Sequence, residues 1–450
     1  MMNTKPFFIF LLLILSGINL FAQHSLQKII DQSENGDTIY VSGLLTAEPI
    51  VIKKPLTLIG INNPVIDGNG IGNVISIKSD HVAINGFIIQ NSGKNQVDEP
   101  SGIKAEGNYI SLHHNEIKNV FFGITILGGK KVFINDNYLH PGKIYGSRPG
   151  HVITIWNCAE SEVKNNKIES GRDGIFLNYT ANIDIENNIV TDCRYALHSM
   201  YSEKLVFADN YVYKNLLGCA LMYSKNLVAT GNRIEWQRTG SSPYGFLLKD
   251  IESLTMTGNH LTANSIGIYA EGVSQKINSH SVIRNNVIEG NDCAFALHST
   301  VKVDFIDNQV SDNLTDILKM GQHISAETKW NENGSGNYWS NYRGYDENND
   351  GIGEQPFKVE NTLDKMTNPR NPLRVFMHTP AHRIIESMMR IFPVLNGGTV
   401  MQDDFPKMKI PSNNQQSEKS GIILSTLLLS AALTMTMVVM LSKYIQRNWL

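Results

Sequence analysis

Short stretches in which apolar and polar residues alternate fill the middle of the chain; GIFLN, LVFAD, LVATG and FALHS are four of them. Alternation with a period of two is a strand signature, and runs this short, bordered by Gly, exclude a helical array. One phrase punctuates them: an Asn, any residue, then an apolar residue. It stands at Asn85, Asn115, Asn137, Asn166, Asn188, Asn210, Asn232, Asn259, Asn286 and Asn308. From Asn166 to Asn232 the step is 22 residues each time, and the other intervals are 22, 27, 29 or 30. Such a period, with insertions at one loop per turn, means a solenoid. The expected fold is all-β: a right-handed parallel β-helix of roughly 22-residue coils over residues 23–345, stacked at about the 4.8 Å strand spacing. Each Asn is expected at a tight inward turn, where its amide bonds neighbouring backbone and left-handed geometry is tolerated, so that stacked copies form a ladder. The opening SLQKIIDQSENGDTIYV predicts a short amphipathic cap helix and a first strand, which hide the end of the solenoid from edge pairing.

Counting back from each Asn assigns the faces. Eleven residues before it lie Ile155, Leu177, Ser199, Leu221, Leu248 and Leu297, and thirteen before lie Ile153, Ile175, Leu197, Cys219, Phe246 and Phe295. These nearly all-apolar columns point inward, so the columns at ten and twelve point outward. The column at ten holds Trp156, Asn178, Met200, Met222, Lys249 and His298; the column at twelve holds Thr154, Phe176, His198, Ala220, Leu247 and Ala296. The repeated Met-Tyr-Ser therefore places Met200 and Met222 side by side on adjacent coils, with His198 two residues from Met200 on the same face and Tyr201 and Tyr223 stacked beside them. Thioether and imidazole form a soft ligand set that selects Cu(I). An exposed Met pair also suits an adaptable docking patch, and spacing alone favours that patch over metal.

Carbohydrate chemistry on such a fold needs Asp or Glu clustered with Arg, Lys or His. Arg172, Asp173 and Asp184 are the candidates near this face, and no carboxylate pair stacks between neighbouring coils there. Arg172 and Asp173 read as turn residues. Catalysis is disfavoured, and a carbohydrate-binding or carbohydrate-active β-helix stands as the alternative function.

Composition and the two ends narrow the setting. With 39 basic against 42 acidic residues in 450, the net charge of −3 gives no polyelectrolyte signal, which argues against nucleic acid. Cys158, Cys193, Cys219 and Cys293 lack CxxC spacing, so neither a zinc site nor a dense disulfide scaffold is indicated. Residues 1–22 carry Lys5, the apolar run FFIFLLLILSGINLF and Ala22 before Gln23, the order of a secretory signal peptide. Residues 421–441 carry no charge and would span about 32 Å as a helix, enough for a hydrocarbon core. Lys443 and Arg447 in the tail 442–450 fit a cytoplasmic end. The body is expected to be exported and tethered by this helix. Before it, residues 346–420 are expected to form a C-terminal cap, an arm and a polar linker. In DENNDGIGE, Asp346, Asn348 and Asp350 before Gly351 resemble the opening of a calcium loop. Phe357 stands where the bidentate Glu belongs, so a plain Asp/Asn turn is preferred to calcium. Trp330, Tyr338, Trp339, Tyr342 and Tyr345 are expected to cap the last coil.

GRDGIFLNYT, CRYALHSMYS, CALMYSKNLVATGN, YGFLLKDIE and GNYWSNYRGYDENNDGIGEQPF together resemble the NosD-type periplasmic maturation proteins of nitrous oxide reductase, over about residues 24–410. The RYALHSMYS and ALMYS pair, followed by the GNYWSNYRGYD block, is the specific part. The resemblance implies a right-handed β-helix without enzymatic turnover, working in the periplasm with the ATPase and permease of an ABC transporter. It also implies copper handling, with a copper chaperone and nitrous oxide reductase as partners in building the reductase's copper–sulfur centre. The segment 421–441 departs from relatives that end as soluble proteins. In residues 381–395, Ile384, Ile385, Met388, Met389 and Phe392 recur at helical spacing. They predict either a helix packed on the solenoid or an amphipathic arm docked on the transporter, and the resemblance tips the reading to docking.

Overall fold

A computed structural model of the protein describes residues 25–46, 49–95, 97–142, 150–238, 243–321, 323–360 and 399–410. The signal segment, the arm with Ile384, Ile385, Met388, Met389 and Phe392, the 421–441 span and the tail lie outside the described residues. Among the described residues no helix is long and apolar enough to cross a membrane.

The chain opens with the helix Leu26–Gln32, whose Leu26 and Ile30, one turn apart on one face, are buried. It covers the first coil, and the Gln27 amide both donates to and accepts from the backbone of Val51. The strand Asp37–Thr46 then starts a single parallel ladder that runs to Tyr338–Trp339. Each full coil contributes three strands: Asp173–Asn178, Ala181–Glu186 and Ile189–Thr191 pair in register with Tyr195–Met200, Glu203–Ala208 and Tyr211–Tyr213 of the next. This is the parallel β-helix. Corners are made by single residues with positive φ, such as Asn187 and Asp192, types whose short polar side chains tolerate that region. Ile155, Leu177, Ser199, Leu221, Leu248 and Leu297 are all fully buried in the shaft, as their column requires.

The Asn ladder runs from Asn115 to Asn337. Along it each Nδ2 donates to the Oδ1 of the next Asn at 2.8–3.1 Å. Asn85 is not part of it. That residue ends the strand Val82–Asn85, and its coil's turn position is taken by buried Phe87, whose N–H donates to Asn115 Oδ1. The missing member is at the other end: Asn337 accepts from Asn308 and hands its own donors to Asp403. Two further ladders line other corners. One runs through Asn215, Gln237, Asn264, Asn291 and Asn313, and the other through Thr180, Ser202 and Ser224.

The C-terminal end is closed by aromatics, with Trp330 stacked on Phe305 and Trp339 on Phe357. Tyr345 departs from the expected cap, at 53% exposed. An antiparallel pair, Phe357–Glu360 with Thr399–Asp403, completes this end. Asp316 of the last full coil stands over Ala294; Asn341 donates to its Oδ2, and Oδ1 has no partner among the described residues. Burial pushes its carboxyl from 3.8 up to about 6. A raised folded-state value stabilises the protein fully below the unfolded value, and that stability is lost as pH rises through about 6. Urea unfolding at pH 4 and pH 8 should therefore show wild type losing up to about 3 kcal/mol relative to Asp316→Asn. A difference that does not change with pH would refute this.

Candidate functional site

The strands Tyr195–Met200 and Leu217–Met222 pair in parallel with Met200 opposite Met222, and Asn178 precedes them in the same outward column. Both methionines are half-buried. Beside them the rings of Tyr179, Tyr201 and Tyr223 form a stacked column at centroid distances of 5.2 and 5.1 Å, and Trp156 lies 6.1 Å from Tyr179. All four aromatics are exposed. The three tyrosines take φ of 53°, 50° and 51°, at a turn position that Asn157 and Asp250 fill on flanking coils. A bulky residue in this region costs energy that Asn, Asp or Gly largely avoids.

His198 corrects one expectation. It lies on the outward column, opposite Phe176 and Ala220, yet is only 8% exposed. The cause is a cluster that the turn reading of Asp173 missed. Asp173 begins the strand Asp173–Asn178, is fully buried, and takes contacts from the coils on both sides of its own. Its Oδ2 lies 2.8 Å from His198 Nδ1 and 3.3 Å from His151 Nδ1. Arg194 closes the other side, Nε donating to Oδ1 and Nη2 to Oδ2, both at 2.9 Å. The Phe176 ring contacts both imidazoles, at 4.7 Å from His151 and 4.8 Å from His198. Tyr195 meets His198 edge-on at 5.1 Å, and its own face is covered by the Arg194 guanidinium at 4.2 Å. Burial alone would raise the Asp173 carboxyl. The His151 and His198 imidazoles at its oxygens outweigh burial and hold it well below the usual carboxylate range. Arg172 is exposed, as a turn residue should be.

An ionised carboxylate can only accept, so His198 Nδ1 is the donor in that bond and Nε2 is the nitrogen left to other partners, an assignment from the hydrogen-bond network. That Nε2 is buried and has no partner among the described residues. By donor chemistry, thioether sulfur and an imidazole nitrogen suit a soft monovalent cation. The thiols do not: the four cysteines are free and buried, and burial pushes Cys158 and Cys193 up to about 12 and raises Cys219 and Cys293 as well. Among the described residues no group of three or more His, Cys, Asp and Glu is arranged to hold a metal ion.

Asp184 lies on the next sheet, opposite Glu162 on the preceding coil, so a stacked carboxylate pair does exist there. Glu162 is already tied to Lys164 and Asn135. In the candidate calcium loop, Asp346 accepts from the backbone of Asp350 and Gly351, Asn348 from Asp350, and Asp350 from Ile352. These are the bonds of a self-contained Asp/Asn turn, and calcium gains no support.

The fold and this soft-ligand face define a β-helical protein with a thioether pair on one outward column. Residues 140–344 match the family model described as "Periplasmic copper-binding protein (NosD)". The chain is 26% identical over 424 residues to the "Probable ABC transporter binding protein NosD" of Stutzerimonas stutzeri, covering 91% of this chain and 95% of that one. It is likewise 26% identical over 375 residues to the protein of the same name from Pseudomonas aeruginosa, covering 80% and 86%. The A-module of the mannuronan C-5 epimerase AlgE4 from Azotobacter vinelandii superposes with a TM-score of 0.54 at 13% identity, over 65% of this chain and 91% of that one. That likeness is one of fold alone. In sequence the chain is similar to NosD-type proteins.

Proposed function

We propose that the protein is a periplasmic, non-enzymatic accessory factor that holds Cu(I) in transit at Met200, Met222 and His198. In this reading it takes the ion from a copper chaperone and works beside the ATPase and permease of an ABC transporter. It serves the maturation of nitrous oxide reductase, and residues 421–441 supply an inner-membrane anchor. Copper is cargo here, bound and released. The observation that carries the reading is the register pairing of Met200 with Met222 next to an imidazole whose Nε2 is bare and buried. The names of the similar proteins, copper-binding and transporter-associated, support it from outside the geometry. The non-enzymatic part rests on the Asp173 cluster: its one carboxylate is held between a guanidinium and two imidazoles, with no acid/base carboxylate pair on this face among the described residues.

Cu(I) competition titration of the full chain tests the assignment. Met200→Ala combined with Met222→Ala removes two of three ligands and should weaken binding at least roughly tenfold. Circular dichroism melting should change little, because half-exposed thioethers add less to the core than a buried truncation, which costs about 2–5 kcal/mol. Equal copper affinity in the two proteins would sink the site, and weakened partner capture with unchanged copper affinity would make the face a docking patch.

A further inference from the structure

We infer that Asp173 is a positioning residue that sets which nitrogen of His198 is offered to the metal. This rests on the copper reading above and adds to it a residue that touches no cargo. The geometry is unusually constrained for an outward face. A single carboxylate, itself fully buried, bonds His198 Nδ1 at 2.8 Å, approaches His151 Nδ1 at 3.3 Å and is clamped by two nitrogens of Arg194. Phe176 and Tyr195 wall the His198 ring on two sides. The ring therefore cannot easily turn away, and its Nδ1 can only donate. What remains is Nε2, buried and unpartnered among the described residues. Leaving such an atom dry carries a desolvation cost that a ligand at that nitrogen would offset. A carboxylate behind a ligating imidazole fixes tautomer and ring orientation and raises basicity.

The carbonyl and amino halves of an amide differ in what they allow. Asp173→Asn keeps the shape but can present an N–H to His198 Nδ1, which drives the hydrogen to Nε2 and blocks the ligand. Cu(I) affinity should fall roughly ten- to a hundredfold, as for other partners behind a ligand. Wild-type protein labelled with 15N-histidine supplies a readout that needs no variant and that a merely structural role would not move. His198 should show a protonated Nδ1 and a bare Nε2 in the free protein, and Cu(I) should shift the Nε2 resonance with Nδ1 still protonated. Asp173→Asn should convert this ring to the Nε2–H form. A wild-type His198 already in the Nε2–H form overturns the inference. So does a folded Asp173→Asn protein that binds Cu(I) like wild type, which would leave the methionine site standing. Wild type that binds no Cu(I) overturns the copper reading, and the inference with it.

Discussion

Asp403→Ala should destabilise the C-terminal end of the solenoid by about 4 kcal/mol, a loss of the size that only a named structural defect produces. The reason is that Asp403 ends the Asn ladder. Every Asn in the stack passes its amide hydrogen to the next, and at Asn337 no further Asn follows. The fully buried Asp403 carboxylate, arriving on the strand Thr399–Asp403, supplies the missing acceptor. Oδ2 takes the Asn337 N–H at 2.8 Å, the Asn337 Nδ2 at 3.3 Å and the Trp339 Nε1 at 2.9 Å, and Oδ1 takes the Phe405 N–H at 3.1 Å. Alanine strands these donors around a buried indole, and each costs about 1–3 kcal/mol unless water reaches it. Burial raises the Asp403 carboxyl despite these bonds, so part of their strength offsets the cost of a buried charge. Asp403→Asn keeps one acceptor oxygen without the charge and should lose less than half as much. Thermal melting, with hydrogen exchange at residues 305–339, distinguishes the cases. Melting of Asp403→Ala within experimental error of wild type would mean that the aromatic plug alone closes this end.

The coil, the inward columns and the Met200–Met222 pairing were legible because a solenoid repeats one local rule, and a repeat lets each residue's face be read from its distance to a marker. Where the rule is replaced by packing, the reading slipped. Phe87 fills a ladder position by apolar contact, so Asn85, two residues away, imitates the motif without joining the stack. His198 stands on the expected outward column but is buried. Outward columns on neighbouring coils lie about 4.8 Å apart, close enough for the Phe176 and Tyr195 rings to bury what lies between them. Asp173 reads as part of an Arg-Asp-Gly turn because its partners lie on the two neighbouring coils, His151 on one and Arg194 and His198 on the other. The available signal was its column, fifteen before the Asn, where His151, Asp173 and Tyr195 follow one another in register. Asp403 carried no signal at all. It stands 66 residues from Asn337 and belongs to no repeat.

Asn210→Ala should be still more damaging, by roughly 5 kcal/mol, because it breaks the ladder in the middle. Asn210 is 1% exposed and makes four bonds within the shaft. Its Oδ1 accepts from Asn188 N and Nδ2, both at 3.0 Å, and its Nδ2 donates to Asn232 Oδ1 and Ile185 O, both at 2.9 Å. Removing the side chain takes the acceptor from the Asn188 N–H and a donor from Ile185 O, and leaves Asn188 Nδ2 with Val163 O alone and Asn232 Oδ1 with the residue-210 N–H alone. Ile185, whose carbonyl loses this donor, is itself fully buried. The stability of a solenoid is approximately a sum of coil terms and nearest-neighbour terms. The loss should therefore fall on the interfaces around this coil, uncoupling the coils before Asn188 from those after Asn232. Denaturant unfolding should then resolve two transitions in place of one, with the separation visible in hydrogen exchange as earlier opening of the strands Glu203–Ala208 and Tyr211–Tyr213. Asn85→Ala supplies the internal control: the same substitution at the residue that only mimics the motif should cost no more than about 0.5 kcal/mol. If the two variants unfold alike, the amide stack is a consequence of coil stacking and the apolar shaft alone sets the cohesion between coils.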